Sequence, residues 1–208
     1  VGLIIGTIVL WQQMRFIQNK NLGYNKEQLL TISNSYALGK NEEVYKQEML
    51  QDPRIVNATV SSYRPAGGSS GSNALAYPIG HDNEIMRTQE YHVDENYIPT
   101  LGMKLIAGRN FTQEMHTDSS STIINKAMAD KLGFKNPIGQ MVTNGGEHLT
   151  IIGVVDNFYF ESIKQQVNPL LMVLGNSNSI ISVKVNAANM KAALAAISGV
   201  WKNFLPNQ

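Results

Sequence analysis

Gln28–Ser61, QLLTISNSYALGKNEEVYKQEMLQDPRIVNATVS, reads as strand, helix, strand. In Gln28–Ser33, Leu30 and Ile32 fall on one face at the two-residue period of a strand. Asn41 is placed to cap a helix that runs to Leu50, with Tyr45 and Met49 one turn apart, and Asp52-Pro53 stops it. Arg54–Ser61 then alternates, with Val56, Ala58 and Val60 against Asn57, Thr59 and Ser61, the pattern of a half-buried strand. At this spacing the three elements predict a right-handed crossover unit.

The far end of the chain has the same texture. Ile181, Val183 and Val185 alternate with Ser182 and Lys184. Met190, Leu194, Ile197, Trp201 and Phe204 then step by four, three, four and three residues, one amphipathic helical stripe of the kind that faces a core. The two ends together are expected to build one lobe. Between them, Pro65–Ser72 (PAGGSSGS) and Gly175–Ser179 (GNSNS) break the pattern and mark boundaries. Residues 67–179 are therefore expected to form an inserted second lobe of mixed helix and strand. Its strands fall near Met86–Val93, Thr122–Ile124 and Leu149–Val155. A short helix Asn96–Leu101 ends at Gly102, and a second, capped by Asn125, runs to Leu132 with Gly133 past its end. The discontinuous first lobe is 25–66 with 180–208. The fold class is α+β.

Residues 1–24 stand apart. Val1–Leu10 (VGLIIGTIVL) is apolar and uncharged, Trp11 closes it, and Gln12, Gln13, Arg15 and Lys20 make the continuing helix polar. Eleven helical residues rise about 16 Å, half of the ~30 Å hydrocarbon layer. With no Met at residue 1, the segment reads as the end of a membrane-spanning helix followed by a stalk. Leu3, Ile4, Ile5, Ile8, Val9, Leu10 and Trp11 are its membrane-anchoring residues, and Trp11 takes the interfacial position. A signal peptide would need a basic region before the run and a small-residue cleavage site after it. Arg15, Lys20 and Lys26 follow the run, a pattern usual on the cytoplasmic side, but a long following domain weakens that rule.

The 208 residues are 43% hydrophobic with a net charge of +1, which suits a folded domain, and they carry no basic tract interleaved with aromatics for nucleic acid. Without cysteine there is no thiol catalysis, thiolate metal site or disulfide framework. Gly67–Gly71 (GGSSG) matches the Gly-x-Ser-x-Gly elbow around Ser69. That elbow needs a helix after the serine, and Asn73–Pro78 is not helical, so the stretch reads as a linker. His81, His92, His116 and His148 show no ligand spacing. Asp94 and Glu95 mark a solvated turn before Tyr97. No phosphate loop or dinucleotide fingerprint occurs. No catalytic residue, metal site or cofactor is expected; a binding or coupling module is.

The middle of the chain carries a resemblance. Tyr97–Phe111 (YIPTLGMKLIAGRNF), Ile123–Gln140 (IINKAMADKLGFKNPIGQ) and Ile151–Ile163 (IIGVVDNFYFESI), then Asn168-Pro169-Leu170, come in the order found in the MacB-like periplasmic domain of FtsX-like permeases of ATP-binding-cassette (ABC) transporters. Gln13–Ser33 resembles the segment after a transmembrane helix in these permeases. Asp156-Asn157 departs from the Lys-Asp of many relatives. The resemblance implies a two-lobed, non-enzymatic domain facing the periplasm from the bacterial inner membrane. It implies coupling of cytoplasmic ATP hydrolysis to the handling of a substrate or partner. The implied partners are a cytoplasmic ABC ATPase subunit, a second permease copy and a periplasmic accessory protein. Family motifs here are structural, so no catalytic residue is carried over. The alternatives are a ligand-sensing ectodomain of a membrane receptor and a membrane-tethered hydrolase acting through Ser69.

Overall fold

The computed structural model describes residues 28–63, 72–80, 85–158, 167–175 and 180–205. The anchoring residues Leu3 to Trp11, the Gly67–Gly71 elbow and His81 lie outside the described residues.

The opening strand, helix and strand are β1 (Leu29–Ser33), α1 (Glu42–Met49) and β2 (Ile55–Ser61). The expected crossover is split. β10 (Ile180–Val185) lies between β1 and β2 and pairs antiparallel with both. The returning strand uses the hydrogen-bonding edges that β1 and β2 would have offered each other. α4 (Met190–Phe204) follows β10 and packs with α1 over this small sheet. Leu30 and Ile32 of β1 face the same apolar cluster as Ala58, Val60, Ile181 and Val183, as their alternation predicts.

Two details of the pattern shift. Where Lys184 is opposite Asn57, Val185 is opposite Ile55, so a bulge skips Val56. Ile55 turns inward and Val56 is left 59% exposed, because one extra residue in a strand reverses the alternation beyond it. On α4, Ala193 and Ile197 are buried while Leu194 is 45% exposed. The buried stripe passes through the smaller residue because Tyr45 of α1 fills the groove. Its ring meets those of Trp201 and Phe204 edge-on, each at 5.6 Å. Asn41 makes no side-chain cap, since the 3-10 segment Ser35–Asn41 runs straight into α1.

The middle of the chain continues the same sheet, ten-stranded among the described residues. The expected strands appear as β4 (Met86–Val93), β6 (Ser121–Asn125) and β8 (Glu147–Val155). The expected helices are α2 (Tyr97–Leu101) and α3 (Lys126–Leu132). Gly102 and Gly133 end them at φ 64° and 70°. Four strands have no clear period in the sequence: β3 (Ser72–Pro78), β5 (Leu105–Gly108), β7 (Met141–Asn144) and β9 (Leu170–Leu174). The order β4-β3-β7-β8-β6-β9 closes on itself, because β9 pairs with β4 in parallel, and β5 pairs with β8 outside this ring. Closure leaves these strands without a free edge. By contrast, among the described residues the small sheet and the ring meet at Ser61 opposite Val93, with Ser62 N donating to the His92 carbonyl and Asp94 N to the Val60 carbonyl on either side.

Asn125 ties the ring together locally. Its side-chain oxygen accepts from Met128 N, capping α3, and from Leu170 N, while its amide donates to the Asn168 carbonyl. The Asn125 and Asn168-Pro169-Leu170 motifs, far apart in the chain, are thus one structural contact.

Candidate functional site

The junction of small sheet and ring holds the most buried ion pair among the described residues. Asp94 follows β4 and turns back beside β2. Its side chain accepts from Val60 N at 2.8 Å, from Asn96 N at 3.1 Å and from the Thr59 hydroxyl. Lys46 reaches it from α1 at 2.9 Å and also pairs with Glu43 at 2.8 Å. The Lys46 side chain has no exposed surface and that of Asp94 retains 10%. Burial alone would lower the pKa of the Lys46 ammonium. The Asp94 charge, with hydrogen bonds to Glu43 and Asp94, overcomes this and raises it. Asp94 is therefore a buried acceptor and not the solvated turn that its charge implies. The sequence carries no sign of this, since its partner lies 48 residues away.

A second pair lies beyond it. Arg109 holds Asp118 through both oxygens, at 2.9 and 2.6 Å, and Thr112 N adds a third donor at 2.9 Å. Asn110 Nδ2 donates to the Glu95 carbonyl at 2.7 Å, which joins this loop to the turn carrying Asp94. The Arg109 hydrogen bonds hold the Asp118 carboxyl below its ordinary 3.8, against the upward push of burial. A lowered carboxylate contributes stability above its unfolded pKa and loses it as pH falls through the folded one. Acid titration of unfolding free energy should therefore show a loss below pH ~4 that Asp118→Asn flattens. At neutral pH that variant should cost about 2 kcal/mol. Parallel pH profiles for the two proteins would contradict this.

The remaining candidates do not converge. His92 Nε2 is 2.9 Å from Glu90, and His148 Nδ1 is 3.2 Å from the Thr143 hydroxyl. His116 opens the 3-10 segment His116–Ser120. Among the described residues no group of three or more His, Cys, Asp or Glu could hold a metal ion. No helix of the described residues is long and apolar enough to cross a membrane. Chemically, the junction holds two parts of the chain together: its carboxylates are occupied by cations and backbone donors.

These elements define an α+β domain in which a small split sheet carries a closed ring of strands. A family model described as the MacB-like periplasmic core domain matches residues 1–200, and the chain belongs to that family. The resemblance seen in the motifs is thereby borne out. The fold is similar to the periplasmic region of MacB from Actinobacillus actinomycetemcomitans. That structure has a TM-score of 0.61 at 17% identity, over 90% of this chain and 88% of that one. It is also similar to the extracellular domain of the noncanonic ABC-type transporter YknZ from Gram-positive bacteria. There the TM-score is 0.59 at 18% identity, over 80% of this chain and 84% of that one. Comparison with curated proteins found no match.

Proposed function

We propose that this domain is the extracytoplasmic part of an ABC transporter permease, and that it couples ATP hydrolysis in the cytoplasm to substrate or partner handling in the periplasm. The observation that carries the reading is the family match, which begins at the apolar run and extends through both ends of the small sheet. Leu3, Ile4, Ile5, Ile8, Val9, Leu10 and Trp11 anchor the chain in the inner membrane. Residues 25–66 with 180–208 form the membrane-side lobe and 67–179 the inserted one. The apolar cluster shared by α1, β2, β10 and α4 supports that division. The domain works as a mechanical element and not as an enzyme. A cytoplasmic ATPase subunit, a second permease copy and a periplasmic accessory protein complete the assembly.

Purifying the full-length permease from gently solubilised membranes tests this. An ATPase and an envelope protein should co-purify. Recovery of a signalling protein without any ATPase would overturn it in favour of a sensory ectodomain.

A further inference from the structure

The junction described above combines a strong link with an unfinished one. The strong link is Lys46 to Asp94, in which an α1 side chain holds a carboxylate of the ring segment against the edge of β2. The unfinished one is on the other face of the small sheet, where α2 packs against β2 and β10. Thr100 of α2 and Ser182 of β10 are both fully buried, and neither hydroxyl has a hydrogen-bond partner among the described residues. Ser182 sits in register between Thr31 and Thr59, so a row of hydroxyl-bearing residues crosses the strands on this face. Buried hydroxyls without partners are uncommon and costly. Two on elements that pack together mark a seam whose closed form is not its best-satisfied one. Backbone pairing across the junction is short: Ser61 lies opposite Val93, flanked by Ser62 N to the His92 carbonyl at 2.9 Å and Asp94 N to the Val60 carbonyl at 3.3 Å, so the chain can pivot about this one point of attachment.

We propose that Lys46 and Asp94 form a latch that holds α2 closed on the small sheet, and that its release lets the ring segment swing so that Thr100 and Ser182 gain water. The proposal rests on the two-lobe permease reading for its use, but its geometry stands without it. In the closed form the two lobes move as one body. In the released form they are hinged. Lys46 neutralises the carboxylate that Val60 N and the Thr59 hydroxyl hold at the edge of β2, and without it that buried charge is uncompensated, so the ion pair sets which form prevails.

The chain has no cysteine, so introduced ones are unique labelling sites. Val44 on α1 and Leu75 on β3 are both exposed, one on each side of the junction. Spin labels on Val44→Cys and Leu75→Cys should give one narrow distance distribution in the otherwise native 208-residue chain. Adding Asp94→Asn or Lys46→Met should produce a second, separated population while unfolding remains cooperative. Lys46→Met decides the matter if Asp94→Asn does not fold, because Asp94 then keeps Thr59, Val60 N and Asn96 N as donors. Adding Thr100→Val and Ser182→Ala to Lys46→Met removes the hydroxyls that favour opening and should shrink that second population. A single unchanged distribution in the folded latch variants would overturn the proposal, as would a second population indifferent to the hydroxyl substitutions. The measurement needs neither ATPase nor transport, so its failure leaves the permease reading to the co-purification test.

Discussion

Gly108→Ala should destabilise the domain by at least about 3 kcal/mol, a loss that few single-methyl additions cause. Gly108 ends β5 at φ 71°, where an L side chain is strained. A Cβ there would also lie 2.1 Å from the Ile152 carbonyl oxygen and 2.7 Å from Ile138 Cδ1. Ile138 is partly exposed and can rotate away. The Ile152 carbonyl cannot, because it accepts from Arg109 N at 2.9 Å and belongs to the central strand of the ring. Gly153, directly opposite, is crowded in the same way, with a Cβ site 2.4 Å from the Arg109 carbonyl oxygen. Two backbones thus approach across a pair of glycines, and Arg109 is aimed at Asp118 from that corner. Gly133→Ala is the control: φ is 70°, but nothing lies within 4 Å of the added methyl. It should cost about 1 kcal/mol, the conformational strain alone. Urea unfolding with an unchanged m-value separates the two. A Gly108→Ala protein no less stable than Gly133→Ala would show that the β5–β8 corner can relax.

The same contrast explains what could be read from the sequence. Local signals held: Asn125 and Gly133 bracket α3, Gly102 ends α2, and β4, β6 and β8 fall where alternation places them. These depend on residues within a turn or two of each other. Four strands escaped for physical reasons. β9 reads LLMVL and is covered on both sides at its start, so it has no polar alternation to announce it. β3 lies against both β4 and β7 and reveals itself only through those partners. The insertion of β10 between β1 and β2 is likewise a pairing over more than a hundred residues, invisible to any window. Asp94 is subject to the same limit. A carboxylate beside Glu95 and Asn96 looks solvated until the fold brings Lys46, Thr59 and Val60 to it. The family resemblance succeeded where periodicity could not, because the order of motifs carries the long-range pairings implicitly.

Tyr45→Ala, in the helix that covers the small sheet, should cost about 3–5 kcal/mol, as large aromatic truncations in cores do. Tyr45 has no exposed surface, and burial pushes its hydroxyl well above the ordinary tyrosine range. Its hydroxyl donates to the Ile197 carbonyl at 3.2 Å, and its ring is the surface on which Trp201 and Phe204 are stacked edge-on. Truncation would open a cavity between α1 and α4 and leave the last turn of α4 with little to hold it. Tyr45→Phe keeps the rings and loses one hydrogen bond, and should cost about 1 kcal/mol. Equilibrium unfolding of the two variants reads the difference. A Phe variant as unstable as the Ala one would mean that the hydroxyl, not the ring, joins the helices. The position matters beyond stability, because the next residue is Lys46. One side chain of α1 binds the C-terminal helix and its neighbour binds the ring segment, so α1 braces both ends of the chain against the insertion. Loosening α4 through Tyr45 should therefore also weaken the hold of Lys46 on Asp94. In the spin-label experiment, Tyr45→Ala should populate the open form although it touches neither partner of the latch. A distribution that stays narrow in a folded Tyr45→Ala protein would show instead that Glu43 and Asp94 fix Lys46 without help from the helix packing.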